Sequence, residues 1–120
     1  QDLLPDNITV KATSFIPDFG KCAGEKCCGI NLKSLTRSID NAVYTGVAAL
    51  YALIKTHPDQ VAFPGRPGLE KPFIDYLAGT SLIRKGLLAD EKPSDILKKA
   101  CKGTENFAMA RQEFFIYQRR

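Results

Sequence analysis

Four cysteines are the residues whose type and spacing could do chemistry in this chain: Cys22, Cys27, Cys28 and Cys101. An even number of cysteines in a small chain that starts at Gln1 favours a disulfide framework in an exported protein. A bridge between the adjacent Cys27 and Cys28 would need a strained ring, so we exclude it. Two pairings remain open: Cys22–Cys27 with Cys28–Cys101, or Cys22–Cys28 with Cys27–Cys101. Either pairing would tie the N-terminal loop to the last predicted helix.

The other residue types that carry chemistry give weaker signals. A cysteine zinc site usually uses two close pairs, and no second close pair accompanies Cys101. His57 is the only histidine, and its place before Pro58 predicts that it complements a helix dipole. No glycine loop with the pattern of a phosphate-binding site is present. We therefore expect no catalytic residues, no bound metal and no cofactor.

The net charge of +4 comes from the C-terminal third, because acids and bases balance from Gln1 to Ile83. A basic end can steer a protein onto an acidic surface. No nucleic-acid motif accompanies this excess of basic residues, and no apolar run approaches the roughly 20 residues that span a bilayer. The chain is thus predicted to bind a protein partner, without inserting into a membrane, and to be monomeric when free.

The pattern of apolar residues predicts an all-α fold, an up-and-down four-helix bundle with an irregular, cysteine-rich N-terminal segment. Residues 1–29 are predicted to form an arm and a cysteine loop, and 30–120 a single helical domain. Apolar residues at steps of three and four predict a long helix over 31–57. Further helices are expected from Pro72, with a break near Gly79, and from about Pro93 to the C-terminus.

The cysteine loop of residues 21–29 and the helical segments 38–57 and 107–120 resemble the lumenal extrinsic subunits of photosystem II. The nearest likeness is to the additional small extrinsic subunit of diatoms, which is similar in architecture to PsbQ. This resemblance implies a non-catalytic subunit in the thylakoid lumen of the chloroplast, peripheral to the membrane. It would dock on the membrane-embedded and extrinsic subunits, stabilise the oxygen-evolving manganese cluster and help to retain calcium and chloride in photosynthesis. Carried onto this sequence, the resemblance implies that the partner-docking residues are Lys98, Lys99, Lys102, Arg119 and Arg120.

Two other interpretations remain open. A small secreted, disulfide-stapled helical protein could act as a binding or effector protein, and Asn7-Ile8-Thr9 would then be a glycosylation site. A carrier bundle with an apolar cavity would use the room that Ala42, Gly46 and Ala49 leave on the long helix.

Overall fold

The computed structural model describes residues 3–36 and 42–117, which form a β-hairpin followed by short helices. This mixture of strands and helices shows that the predicted all-α four-helix bundle is wrong. In chain order the elements are β1 (Ile8–Phe15), β2 (Cys27–Ser34), α1 (Ala42–Thr56), α2 (Phe73–Ala78), α3 (Leu82–Leu88), α4 (Pro93–Ala100), α5 (Thr104–Ala110) and a 3₁₀ helix (Arg111–Phe114).

The two strands pair antiparallel, with Ile8 opposite Ser34 and Phe15 opposite Cys27. β1 contains four β-branched residues in ITVKATSF, which suit the pleated backbone of a strand. The Nδ2 atom of Asn7 donates a hydrogen bond of 3.0 Å to the Thr36 hydroxyl, just beyond the paired residues. The predicted irregular arm is therefore largely a regular hairpin.

The predicted helix over 31–57 is wrong at its start because Leu32 lies in β2, where it pairs with Val10. Its side chain contributed to an apolar spacing of three and four that fits a helix equally well. Gly29 occupies β2 beside an aromatic neighbour, and a Cβ atom there would lie 3.3 Å from Cε1 of Phe15. The Phe15 ring thus covers the backbone of β2 at Gly29, which has no side chain of its own.

Local signals placed several helix ends correctly. Helix α1 ends at Thr56, shortly before Pro58, and α4 begins at Pro93, as predicted. The expected break at Gly79 is confirmed by its φ of +67°, which a glycine adopts at low cost. The last predicted helix is divided at Gly103, whose φ of +92° separates α4 from α5.

The chain divides into two compact units, Gln1–Ala48 and Ala49–Arg120, with the division inside α1. In the second unit α3 packs against α4, and Leu87 and Ile96 are 2% and 1% exposed. Gly86 permits this close approach, because a Cβ atom at that position would lie 2.6 Å from Cγ1 of Ile96. The organisation of the chain as a single domain stays a prediction.

Two further properties hold for the residues that the structure describes. No helix within 3–36 and 42–117 is long and apolar enough to cross a membrane. The same residues contain no cluster of three or more histidine, cysteine, aspartate or glutamate side chains that could hold a metal ion.

Candidate ligand-binding cleft

The turn after α3 builds one wall of a charged cleft. The Glu91 N–H donates to the Gly86 carbonyl at 2.9 Å, and the Asp90 N–H donates to the Leu87 carbonyl at 3.2 Å. These two bonds form a Schellman motif, in which the residue after the helix is usually glycine. Asp90 occupies that position with a φ of +58°. Aspartate tolerates this left-handed region better than most L-residues, and its side chain makes contacts beyond the turn.

Those contacts come from α1. Lys55 Nζ lies 2.6 Å from Oδ2 of Asp90. The hydrogen bond from Lys55, followed by that from Tyr51, lowers the pKa of Asp90. The same carboxylate raises the pKa of Lys55 and that of Tyr51. Both charged side chains are at least half exposed, so this ion pair orients Asp90 more than it stabilises the fold.

Helix α4 and the turn after it provide the opposite wall. Pro93 starts the helix, where its missing N–H has no partner to lose. Asp95, Lys98, Lys99 and Lys102 follow at steps of three and four, which puts them on one side of a helical segment. Lys99 Nζ lies 2.8 Å from each carboxylate oxygen of the Glu91 side chain, and this contact joins the two walls.

The cleft has a volume of about 930 Å³, and four lysines and three carboxylates line it. Its lining residues are Asp90, Glu91, Lys92, Asp95, Lys98, Lys99 and Lys102. Within the described part of the chain, no carboxylate lies within 4 Å of the ammonium groups of Lys92, Lys98 and Lys102. Ammonium groups suit an anionic ligand, and the carboxylates can accept hydrogen bonds from its hydroxyl or amide groups.

The electrostatics of the cleft favour binding over proton transfer by Asp90. A general acid at neutral pH needs a carboxyl pKa raised toward 7, whereas the pKa of Asp90 is lowered. Glu91 is engaged by Lys99 through both of its oxygens. The arrangement therefore suits a polar, negatively charged ligand that is held in place by these side chains.

The structure brings three of the predicted docking residues together. Lys98, Lys99 and Lys102 all line the cleft, although Lys99 is already paired with Glu91. Arg119 and Arg120 lie outside the described residues. The docking role of these five basic residues stays a prediction.

All four cysteines carry free thiols in this structure. Burial, followed by the neighbouring Cys22, raises the pKa of Cys27. Cys101 directly follows α4 in the second unit. The disulfides and their pairing stay predictions.

Sequence reasoning missed most of the acidic side of the cleft. Asp90 and Glu91 lie in the turn between α3 and α4, and no sequence motif marks their role there. Lys55 and Asp90 are 35 positions apart, so no local sequence pattern predicts their contact. A usable signal was the step of four from Asp95 to Lys99, which places an acid beside the predicted basic face.

Comparison with known proteins gives one consistent result. The family model described as exo-β-N-acetylmuramidase NamZ, C-terminal, matches residues 2–117. The chain is also 28% identical over 110 residues to the peptidoglycan β-N-acetylmuramidase NamZ of Bacillus subtilis strain 168. That alignment covers 92% of this chain and 25% of the relative, so the chain spans about a quarter of that protein's length. No solved structure matches the chain.

These matches overturn the functional expectations drawn from the sequence. The resemblance to photosystem II subunits is wrong, and so are the thylakoid location, the photosystem partners and the role in oxygen evolution that it implied. Nothing supports the alternative of a secreted effector. The expectation of a non-enzymatic protein is also wrong at the level of the family, which is that of a glycosidase. The chain belongs to the family of the C-terminal region of exo-β-N-acetylmuramidase NamZ.

Proposed function

We propose that this chain is the C-terminal part of a peptidoglycan exo-β-N-acetylmuramidase and that its charged cleft holds the anionic sugar of the substrate. The family match over residues 2–117 carries this proposal. The cleft supports it, because it offers ammonium groups beside hydrogen-bond acceptors on one compact unit. The partner of the predicted basic face would then be a glycan and not a photosystem.

The chemistry of the sugar explains why lysines would be useful. N-acetylmuramic acid is N-acetylglucosamine with a lactyl ether, and the lactyl group adds a carboxylate to an otherwise neutral sugar. Lys98 and Lys102 can bind that carboxylate, since no carboxylate of the described residues neutralises them at close range. Asp90 and Asp95 can accept hydrogen bonds from ring hydroxyls or from the acetamido N–H.

We assign substrate binding, and not bond cleavage, to the charged cleft. Most glycosidases use one protonated carboxyl group as general acid and a second, ionised carboxylate as base or nucleophile. Asp90 is a poor general acid because Lys55 and Tyr51 hold its pKa below the usual range. We therefore assign substrate positioning to the residues of this cleft, and hydrolysis to the enzyme as a whole.

We expect the double substitution Lys98→Gln/Lys102→Gln to weaken the binding of N-acetylmuramic acid by about fivefold, the scale of exposed charge pairs. The affinity for N-acetylglucosamine should not change, because that sugar lacks the carboxylate. Isothermal titration of both sugars measures this difference, and added salt should reduce it.

The matched control is Lys11→Gln/Lys33→Gln, which removes the same charge from two exposed residues of the hairpin. This control protein should bind N-acetylmuramic acid like the wild type. If both double variants lose affinity equally, net charge rather than the cleft determines binding, and the assignment of Lys98 and Lys102 fails.

A further inference from the structure

A second cleft in the Ala49–Arg120 unit differs in character from the first. It encloses about 480 Å³, and its apolar walls come from Leu50, Val61, Phe63, Ile74 and Leu77. Arg66 is its one charged lining residue. The two clefts share no lining residue, so a ligand of the second cleft needs chemistry other than that of an acidic sugar.

Arg66 is held at this cleft by an aromatic ring. The centre of its guanidinium lies 3.5 Å from the centroid of the Phe73 ring. A stacked guanidinium gains a cation–π interaction on its face and keeps its N–H edge available for a ligand. The Phe73 ring therefore restrains the orientation of the Arg66 guanidinium group before any ligand binds.

The backbone of the intervening loop adds a second restraint. The Phe73 N–H donates to the Pro64 carbonyl at 3.4 Å, which joins the two ends of the loop. The Leu69 N–H donates to the Arg66 carbonyl at 3.0 Å, and Gly68 takes the φ of +81° that this turn requires. Arg66 is thus positioned by its own turn as well as by Phe73.

The charge of Arg66 is not matched by a nearby acid. Within residues 3–36 and 42–117, no carboxylate lies within 4 Å of its guanidinium. A guanidinium fork binds a carboxylate through two parallel hydrogen bonds, and this geometry is specific to planar anions. Beside an apolar surface, the complementary ligand is a molecule with a carboxylate at one end and apolar groups next to it.

We propose that this cleft binds the carboxy-terminal end of an apolar peptide. The terminal carboxylate pairs with Arg66, and the adjoining apolar side chains contact Phe63 and Ile74. The cleft is open, since Leu77 is 73% exposed, so peptide amides can stay in contact with water while the side chains are buried. A fatty acid would leave much of its chain in water at so open a site, which favours the peptide.

The direct test is titration of the ¹⁵N-labelled protein with acetyl-Leu-Ala-Leu bearing a free carboxylate. We expect the backbone amide signals of Ala62, Phe63 and Ile74 to shift with a saturating dependence on peptide concentration. The carboxamide form of the same peptide should bind about tenfold more weakly, because it lacks the charge that the arginine fork recognises. This comparison uses only the wild-type protein, so it does not depend on the folding of any variant.

Substitutions then locate the charge. Arg66→Gln should reduce the affinity for the free peptide to that of the carboxamide, and Arg66→Lys should give an intermediate value because it keeps the charge but not the fork. Lys71→Gln makes the same charge change outside the cleft and should leave the affinity unchanged.

Three results would overturn the proposal: equal affinity for the carboxylate and the carboxamide, an equal loss in Lys71→Gln, or decanoate binding more tightly than the peptide. The last result would assign the cleft to acyl chains. The proposal is independent of the muramidase assignment, since N-acetylmuramic acid should instead shift signals of the charged cleft, such as those of Lys98 and Lys102. Failure of one titration therefore leaves the other interpretable.

Discussion

Substitution of Gly86 by alanine should destabilise the protein by about 1–3 kcal/mol, the usual cost of overpacking a core. The added Cβ atom would lie 2.6 Å from Cγ1 and 3.1 Å from Cδ1 of Ile96, which is 1% exposed and has little room to move. In an unconstrained helix the same change stabilises by up to about 1 kcal/mol, so the sign of the effect is diagnostic. Chemical denaturation monitored by circular dichroism measures the free energy of unfolding.

Gly46 provides the matched control for this experiment. It also lies inside a helix, α1, but a Cβ atom there would meet nothing within 4 Å. Gly46→Ala should therefore stabilise the protein. If Gly86→Ala stabilises it as well, α3 and α4 do not approach each other as closely as described. Because the turn after α3 and helix α4 form the walls of the charged cleft, Gly86→Ala should also weaken the binding of N-acetylmuramic acid.

The second large effect is expected at the ion pair between Asp75 and Arg84. Arg84 donates from Nε to Oδ1 at 2.9 Å and from Nη2 to Oδ2 at 2.8 Å. The Asp75 side chain is 3% exposed, so Arg84→Met would leave a buried carboxylate without its partner and should lower the melting temperature by several degrees. The double variant Asp75→Leu/Arg84→Met removes both charges and should be more stable than Arg84→Met alone. A double variant that is less stable than Arg84→Met would show that the orphaned Asp75 carboxylate is not the main cost of losing Arg84.

The same pair predicts how stability depends on pH. The hydrogen bonds from Arg84 lower the pKa of Asp75 in the folded protein relative to the unfolded chain. The stabilisation is therefore complete above the unfolded pKa of about 4 and is lost as the pH falls through the folded pKa. Melting curves below about pH 4 should show a steep loss of stability in the wild type and a shallower one in Asp75→Leu/Arg84→Met. Equal acid slopes would contradict the assignment.

The sequence allowed good predictions where a structural feature depends on adjacent residues. Pro58 and Pro93 restrict the backbone locally, and α1 ends and α4 begins near them. Gly79 permits the left-handed turn at which the helical segment breaks. The hairpin depends on pairing between residues as distant as Ile8 and Ser34, which no local rule detects. Leu32 misled the prediction because its spacing from later apolar residues fits a helix as well as the register of β2.

In the charged cleft, too, the features that depend on distant residues were not predicted. The lysines of α4 and its following turn were singled out because the excess of basic residues lies in the C-terminal third and the assumed resemblance placed docking contacts there. Their acidic counterparts depend on the left-handed backbone of Asp90 and on its contact with Lys55 from another helix, and neither feature has a local signature. The functional prediction failed for a different reason: chain size, a cysteine loop and an assumed helix pattern are shared by unrelated families, so they could not distinguish a photosystem subunit from part of a glycosidase.

The most direct test of the central claim is to titrate the ¹⁵N-labelled protein with N-acetylmuramic acid and, separately, with N-acetylglucosamine. These sugars differ only in the lactyl group, so the comparison isolates its carboxylate. The proposed function predicts that N-acetylmuramic acid shifts the backbone signals of Glu91, Lys98 and Lys102 at lower concentration than N-acetylglucosamine does, and that salt reduces the difference. Identical responses to the two sugars, or no response at these residues, would contradict the claim that this cleft holds the anionic sugar of peptidoglycan.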